Sequence, residues 1–417
     1  MAPDLAVSVG RWYLRWDKGE IFQVTQQDAD SGQITIRAYD GGVEKLSLDD
    51  WRVLRPALAD PPSDWTGPVE TLDELDAGAT LPPGFSAAPT TVSSIRRILV
   101  AVKEVGSQWS PAVAKATQIA RATGAQIELF HCVDVALTLQ DLATYKNGID
   151  EFEGLQRRSW EEGLERLATK VRSHGVHVSF SAPVDHPAHE GILRQARRFH
   201  ADLIVTDAHP GSNWLPTLLE EVDWELVRLS SVPLLIVKRP QPYRRPLVLA
   251  ALDPSQNHSK PATLDDKIVS FSEVFSSALQ GELHAVHAYP VPPAYAEAAA
   301  SLTAGVAAEL RAIDAGRAQA ALDAVLAESR ITKEHRHIKP GSPAEALITT
   351  AKELNASLLV MGSVGRSGLG RLFIGNTAEK TLSHLPCDLL LLKPDGFRDA
   401  TPDQRRGARV IATGTYY

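Results

Sequence analysis

The chain has 417 residues, which is enough for two to four domains, and its 43 basic and 51 acidic residues give a net charge of −8. This acidity argues against a surface devoted to nucleic acid, and two cysteines are too few for a disulfide framework. The N-terminus has no leader-like basic and apolar pattern, and no apolar run has the length of a membrane helix. We therefore expect a cytoplasmic protein with no membrane span and no nucleic-acid partner.

The acidity is confined to one part of the chain. Residues 1–90 hold 15 acidic and seven basic residues and four of the eight tryptophans, so the remaining 327 residues carry no net charge. The chain thus begins with a module of different composition. We expect this module to bind a basic surface, either on an unidentified protein partner or on this chain itself.

Residues 1–58 are predicted to form a small acidic β module. The strand-like runs IFQVTQQ, QITIRAY and VEKLSL are separated by the turn sequences DADSG and DGG, which suggests a barrel of the SH3 or Tudor type. Its aromatic rings could form a cage for a methylated cation, but in so small a module we expect them to form the core. These aromatic residues are Trp12, Tyr13, Trp16, Phe22, Tyr39 and Trp51. Residues 59–94 are rich in proline and are interpreted as a linker.

From residue 95 onward, apolar strands alternate with helices of ten or more residues, the pattern of βαβ units with a mainly parallel sheet. The predicted order is strand 95–103, helix 109–124, strand 125–134, helix 149–175, strand 176–184, helix 188–200, strand 201–208, helix 218–230 and strand 232–238. The same order then repeats between a strand at 246–253 and a strand at 387–393. We predict two tandem, doubly wound, five-stranded α/β domains at 95–240 and 245–395, followed by a loose tail at 396–417.

An internal repeat supports this division. The stretch VDHPAHEGILRQARRFHADLIVTDAHPG (184–211) aligns without gaps with KPGSPAEALITTAKELNASLLVMGSVGR (339–366), and VPLLIVK aligns with CDLLLLK at the same offset of 155. If these last two strands pair at their edges, the two copies form a pseudo-dimer within the chain. A further homodimer is then unnecessary, although the sequence leaves it open.

The richest local signal is the glycine-rich segment MGSVGRSGLGRLFIGNTAEK at 361–380, which follows a strand and leads into a predicted helix. Glycine lets a ligand approach the backbone closely, and a helix N-terminus offers free N–H groups that suit phosphate. The segment is neither a Walker A loop nor a Rossmann fingerprint. Its spacing is Gly362-x₂-Gly365-x₉-Gly375, followed by Asn376 and Thr377.

This spacing resembles the nucleotide-binding loop of the universal stress protein family. The sequence GSVGRSG…GNTAE looks closest to the tandem two-domain branch of that family. The resemblance covers about residues 95–394 and implies a five-stranded, Rossmann-like fold that binds ATP or a related adenine nucleotide, with Mg²⁺ left open. The aspartate after the first strand of that family matches Asp253, and the residue that holds adenine through its backbone matches Ala288. The phosphate contacts would come from Gly362, Gly365, Gly375, Asn376 and Thr377. One departure is Asn376, where serine or threonine is usual.

The first copy departs from this pattern. Lys103 stands at the position of Asp253, and the offset of 155 puts Asp207 and Glu220 at the positions of Gly362 and Gly375. Two carboxylates would repel a phosphate by charge and bulk. We therefore interpret residues 95–240 as a degenerate copy.

Other polar residues are given structural interpretations. Histidines at 284, 287, 335 and 337 are expected to pack along strands, and no metal site is predicted. Cys132 and Cys387 lie in apolar strands and are expected to be buried thiols. The sequence thus predicts a stress-response regulator that binds ATP in its second α/β domain and hydrolyses it slowly or not at all, with no catalytic residues. Two alternatives remain: a carrier of a lipid-like ligand between the copies, and a true ATP-hydrolysing or nucleotidyl-transferring enzyme.

Overall fold

The computed structural model describes residues 7–15, 20–28, 32–38, 43–48, 50–51, 57–59, 95–105, 109–138, 149–208, 221–254, 263–289, 304–363, 381, 384–399 and 401–411. By its internal contacts the chain divides into an N-terminal unit, which is built mainly from residues 1–85, and a larger unit that contains the α/β repeat. Each unit has its own buried core.

The N-terminal unit is an antiparallel sheet of five strands in the order β4-β3-β2-β1-β5. The strands are β1 Trp12–Arg15, β2 Glu20–Asp28, β3 Gln33–Ala38, β4 Val43–Ser47 and β5 Ala57–Ala59. The three predicted strands are confirmed as β2 to β4, whereas the pattern gave no separate signal for β1 and β5. The likeness to an SH3 or Tudor barrel stays a prediction.

Aromatic side chains form the core of this unit, as expected. Tyr13 and Phe22 are almost completely buried, and Trp51 packs edge-on against Tyr13 with 4.8 Å between ring centroids. Trp12 is also buried, at 3% exposure. Rings that are packed in this way contribute hydrophobic stability and leave no open face for a cation. Trp16 and Tyr39 lie outside the described residues.

The larger unit alternates strands and helices in two successive copies. The first contains β6 Arg97–Ala101, α1 Pro111–Thr123, β7 Gln126–Phe130, β8 Ala136–Thr138, α2 Ile149–Ser173, β9 Val178–Ser181, α3 Ala188–Phe199, β10 Leu203–Asp207, α4 Glu221–Leu229 and β11 Leu234–Val237. The second contains β12 Leu247–Leu252, α5 Thr263–Ala278, β13 Glu282–Tyr289, α6 Ala304–Val325, a 3₁₀ turn Lys333–His335, β14 Arg336–Pro340, α7 Pro343–Glu353, β15 Leu358–Gly362 and β16 Asp388–Leu392. A last strand, β17, spans Arg409–Ile411.

The two copies share one sheet of ten strands, in the order β14-β13-β12-β15-β16-β11-β10-β6-β7-β9. Within each copy the strands are parallel, and the copies meet where β11 and β16 pair antiparallel, with Leu235 opposite Leu390. The predicted α/β fold and the pairing of the last strands are therefore confirmed. The two five-stranded sheets are fused edge to edge because each last strand would otherwise expose unpaired backbone groups.

Strand alternation divides the interior into two layers, one on each face of the sheet. In β6, for example, Ile98 and Val100 belong to one core cluster, while Leu99 and Ala101 belong to the other. Helices α1, α2, α5 and α6 cover the first face, and α3, α4 and α7 cover the second. Full burial of such an aliphatic side chain stabilises the fold by about 1.5–3 kcal/mol, so the layers account for the near-continuous apolar runs of the strands.

Local signals set the ends of several helices. Ser110 caps α1 by accepting the backbone N–H of Val113, and Gly124 ends the helix at φ 74°, which glycine adopts without strain. Ser342 caps α7, because its hydroxyl accepts the backbone N–H of Glu345, as in the first half of a capping box. The helix predicted to follow the glycine-rich segment, at 376–385, lies mostly outside the described residues.

The segment after β16 is not the loose tail that its polar composition suggested. Strand β17 pairs in parallel with β8, and Ala408 donates its backbone N–H to the Glu153 carboxylate at 3.0 Å. Arg197 forms an ion pair with Asp399, and the Arg406 guanidinium lies 2.9 Å from Glu190. The contacts are charged and backbone groups, so composition alone could not reveal that residues 398–411 dock onto the first copy.

Candidate functional site

The candidate site lies at the carboxyl ends of the strands of the second copy. There the chain runs outward from β12 to β13 and β14 on one side, and from β12 to β15 and β16 on the other. This reversal is a topological switch point, where open α/β sheets bind ligands. Asp253 directly follows β12 and Gly362 ends β15, so two predicted site residues border the crevice between these adjacent strands.

Asp253 is held by the helix that follows it. Its backbone N–H donates to the carboxylate of Asp265, at 3.2 and 3.3 Å from the two oxygens. Asp265 stands in the first turn of α5 and is 4% exposed, whereas Asp253 is only half-buried. The buried carboxylate thereby fixes the backbone of Asp253 at the carboxyl end of β12.

Lys393 places a buried amino group at the same carboxyl ends of the strands. It follows β16, is 5% exposed, and donates from Nζ to the Ser363 hydroxyl at 3.1 Å. Ser363 in turn directly follows Gly362 and donates its backbone N–H to Leu392. Burial lowers the pKa of Lys393 to about 8, because a charged ammonium loses solvation there. No sequence pattern predicts a role for this lysine, since a lysine after a strand gives no signal of its burial.

Ala288 lies near the carboxyl end of β13, the strand next to β12, and follows the buried His287. The His287 ring nitrogen Nδ1 lies 3.2 Å from the Leu252 carbonyl oxygen at the end of β12. The first copy repeats this contact, with His131 Nδ1 at 2.7 Å from the Val102 carbonyl. The histidine thus ties the first two strands of each copy together, which is a structural role and agrees with the packing interpretation.

Gly362 has a packing role in addition to its position in the motif. A Cβ atom at this residue would lie 2.7 Å from Leu264 Cδ2 in α5, closer than such atoms approach in proteins. Helix α5 can therefore pack this closely against the end of β15 only because residue 362 has no side chain. The other predicted phosphate contacts, Gly365, Gly375, Asn376 and Thr377, lie outside the described residues, so their contribution stays a prediction.

At the matching positions of the first copy, charged residues pair with groups of the chain itself. Lys103 Nζ lies 2.6 Å from the fully buried carboxylate of Asp223, on α4. Asp207, which matches Gly362, accepts the backbone N–H of Ala112 at 2.7 Å in the first turn of α1. A carboxylate thus occupies the helix end where an anion would otherwise bind. These contacts agree with the interpretation of this copy as degenerate.

Both cysteines are buried, as expected. Burial raises the pKa of Cys132 and of Cys387 to about 12, so neither thiol is reactive near neutral pH.

Between the copies, a recess of about 310 Å³ is lined by Lys115, Arg239, Gln241, Pro242, Tyr243 and Ser357. None of the helices within the described ranges is long and apolar enough to cross a membrane.

Two tandem α/β copies with parallel strands and a topological switch point define the Rossmann-like α/β class. The model of the universal stress protein family matches residues 94–238 and 263–393, about two thirds of the chain. The chain therefore belongs to the universal stress protein family, as the resemblance of its loop implied. Residues 2–90 match a separate family of unknown function, DUF6763.

Individual relatives agree with this membership. Universal stress protein E of Escherichia coli K12 is 28% identical over 305 residues, which cover 69% of this chain and 91% of the relative. The crystal structure of a universal stress protein from Pseudomonas aeruginosa UCBPP-PA14 matches with a TM-score of 0.56 and 26% identity, over 73% of this chain and 95% of that one.

Proposed function

We propose that the second α/β copy binds ATP or a related adenine nucleotide, and that the bound state regulates contacts of this protein with its partners in the stress response. The observation that carries the proposal is the junction of the glycine motif with the switch point: Asp253 and Gly362 border the crevice from adjacent strands. We propose binding rather than turnover as the main activity.

The chemistry of the described residues fits a nucleotide. The half-buried Asp253 carboxylate is suited to accept hydrogen bonds from ribose hydroxyls, and the backbone of Ala288 is suited to the adenine edge. The Lys393 ammonium and Ser363 hydroxyl supply a positive charge and a donor beside the glycine segment. When bound, ATP would supply the charge of its phosphates and, if Mg²⁺ accompanies it, that of the cation.

The test is calorimetric titration of the full chain with ATP, together with a parallel assay of phosphate release. The variant Gly365→Asp/Gly375→Glu adds two charges within the motif, following the acidic residues of the first copy. The control variant Gly368→Asp/Gly370→Glu adds the same charges to the same segment at glycines outside the motif. We expect the motif variant to lose at least about tenfold more affinity than the control, equivalent to about 1.4 kcal/mol. Equal losses, or no binding by the unmodified chain at millimolar ATP, would refute the proposal.

We further propose that the acidic N-terminal module is the part that recognises a partner. Its support is the charge of residues 1–90 and the separate core of that unit. A chain that lacks residues 1–90 is expected to bind ATP with unchanged affinity but to lose salt-sensitive association with basic proteins. Loss of ATP affinity on this deletion would contradict the division of roles.

A further inference from the structure

A second polar cluster of the second copy lies at the amino ends of the strands, opposite the carboxyl ends that border the candidate site. Glu282 is the first residue of β13 and His284 is the third, and His335 ends the adjoining 3₁₀ turn. Ala288 lies four residues beyond His284, or about 13 Å along the strand, so the cluster is separate from the nucleotide crevice. The inference therefore does not depend on the proposed function.

The side chains of this cluster converge on one point. Glu282 Oε1 lies 2.9 Å from His284 Nε2 and 3.1 Å from His335 Nε2, and all three atoms lie within 4.8 Å of one another. We propose that Glu282, His284 and His335 bind a divalent transition-metal ion of the zinc class. Imidazole nitrogen and carboxylate oxygen are ligands that Zn²⁺ prefers, and two histidines with one carboxylate leave a fourth position for water.

The distances require only a small adjustment. Bonds of about 2.0–2.1 Å in a tetrahedral site put two ligand atoms about 3.3–3.4 Å apart, a few tenths of an ångström more than the present contacts. The rings of His284 and His335 are stacked with 13° between their planes, so His335 has to turn to aim its lone pair at the same ion. Its side chain is 32% exposed and that of Glu282 is 54% exposed, which leaves room for this movement.

A fourth residue orients the buried ligand. His284 is 6% exposed, and its other ring nitrogen, Nδ1, lies 2.8 Å from Nε2 of His337 on β14. The two rings are coplanar, within 1°. In the present structure Nε2 of His284 donates to the Glu282 carboxylate. When a metal ion replaces that proton, Nδ1 donates to His337 and Nε2 turns its lone pair to the ion. Metal-ligating histidines are commonly held in this way by a partner on the second nitrogen.

The test is titration of the full chain with ZnSO₄ in phosphate-free buffer. We expect one Zn²⁺ per chain, with affinity reduced at least tenfold in Glu282→Gln and in His335→Ala. Both positions are partly exposed, so neither variant is expected to unfold the chain, and circular dichroism checks this. The matched control is His177→Ala, which removes an exposed histidine just before β9, the strand of the first copy that corresponds to β14.

Substitution with Co²⁺ gives a second readout, because a tetrahedral site with nitrogen and oxygen ligands produces visible absorption bands that an ion in water lacks. We expect these bands in the unmodified chain and in His177→Ala, and not in His335→Ala. The proposal is overturned if the unmodified chain binds no Zn²⁺, or if all three variants bind it as the unmodified chain does. ATP titration of the same variants is expected to be unchanged, which keeps this test separate from that of the nucleotide site.

Discussion

Lys115 of α1 and Asp388 of β16 form a buried ion pair that joins the two copies, with 2.5 Å between Nζ and Oδ2. The Tyr243 hydroxyl donates to the same oxygen at 2.6 Å, and the backbone N–H groups of Lys238 and Arg239 donate to the other at 2.9 and 3.0 Å. Burial and the neighbouring carboxylate raise the pKa of Tyr243 well above its usual value. A carboxylate with this many donors can remain charged in the interior.

Loss of Lys115 should therefore destabilise the contact between the two copies. We expect Lys115→Met to lower the free energy of unfolding by about 3 kcal/mol, because it leaves the Asp388 charge buried without its counter-ion. Urea denaturation measures this as a lower midpoint. The control Lys352→Met changes an exposed lysine of α7 and should stay within about 0.5 kcal/mol of the parent. The double variant Lys115→Met/Asp388→Asn should recover part of the loss. If Lys115→Met were as stable as the control Lys352→Met, this role of the ion pair would be contradicted.

Asp388 also shows where sequence reasoning stops. It stands in the apolar run CDLLLLK, which was correctly predicted as a buried strand, but its partner Lys115 is 273 residues away and no local pattern connects them. Asp253 and Gly362 were predictable because a motif fixes them relative to strand ends. Lys393 and Asp265 were not, since their burial depends on how helices pack over the sheet. The docking of the segment after residue 397 is not predictable from sequence for the same reason.

The charges in the first crevice predict a single nucleotide per chain. The Lys103–Asp223 pair and the Asp207 carboxylate occupy the position that the second copy leaves to Asp253 and glycine. Calorimetry should therefore give a stoichiometry of one, and Asp253→Lys, which carries the residue of the first copy, should weaken binding at least about tenfold. Lys103→Met serves as the matched change in the first copy and should leave the stoichiometry at one. Two equivalents of bound ATP would contradict the degenerate interpretation.

Gly362 offers a test that separates packing from ligand binding. We expect Gly362→Ala to cost about 1–3 kcal/mol of stability in the absence of nucleotide, because the new Cβ meets Leu264 Cδ2 at 2.7 Å. Adding Leu264→Ala should make the combined loss smaller than the sum of the single losses, which thermal denaturation can measure. Gly316→Ala in α6 is the control: nothing lies within 4 Å of its Cβ position, so it should stabilise the helix by up to about 1 kcal/mol. If the losses of Gly362→Ala and Leu264→Ala were fully additive, close packing of α5 against Gly362 would be contradicted.

Lys393 gives the protein a predictable dependence of stability on pH. Burial lowers its pKa from 10.5 to about 8, so between these values the unfolded chain binds a proton that the folded chain does not. The free energy of unfolding should therefore rise as pH increases from 8 to 10.5, and this contribution is lost as pH falls through 8. Its full size is at most about 3 kcal/mol.

The measurement is the difference in unfolding free energy between the parent chain and Lys393→Met across that window. Other groups that titrate there cancel in the difference, because both proteins carry them. These include Lys238, whose pKa burial also lowers to about 8, and the two cysteines, whose raised pKa values act in the opposite direction. The difference should grow with pH in favour of the parent. A difference that stays constant from pH 8 to 10.5 would mean that the Lys393 amino group remains solvated, and the hydrogen bond to Ser363 would then have to be exposed to water.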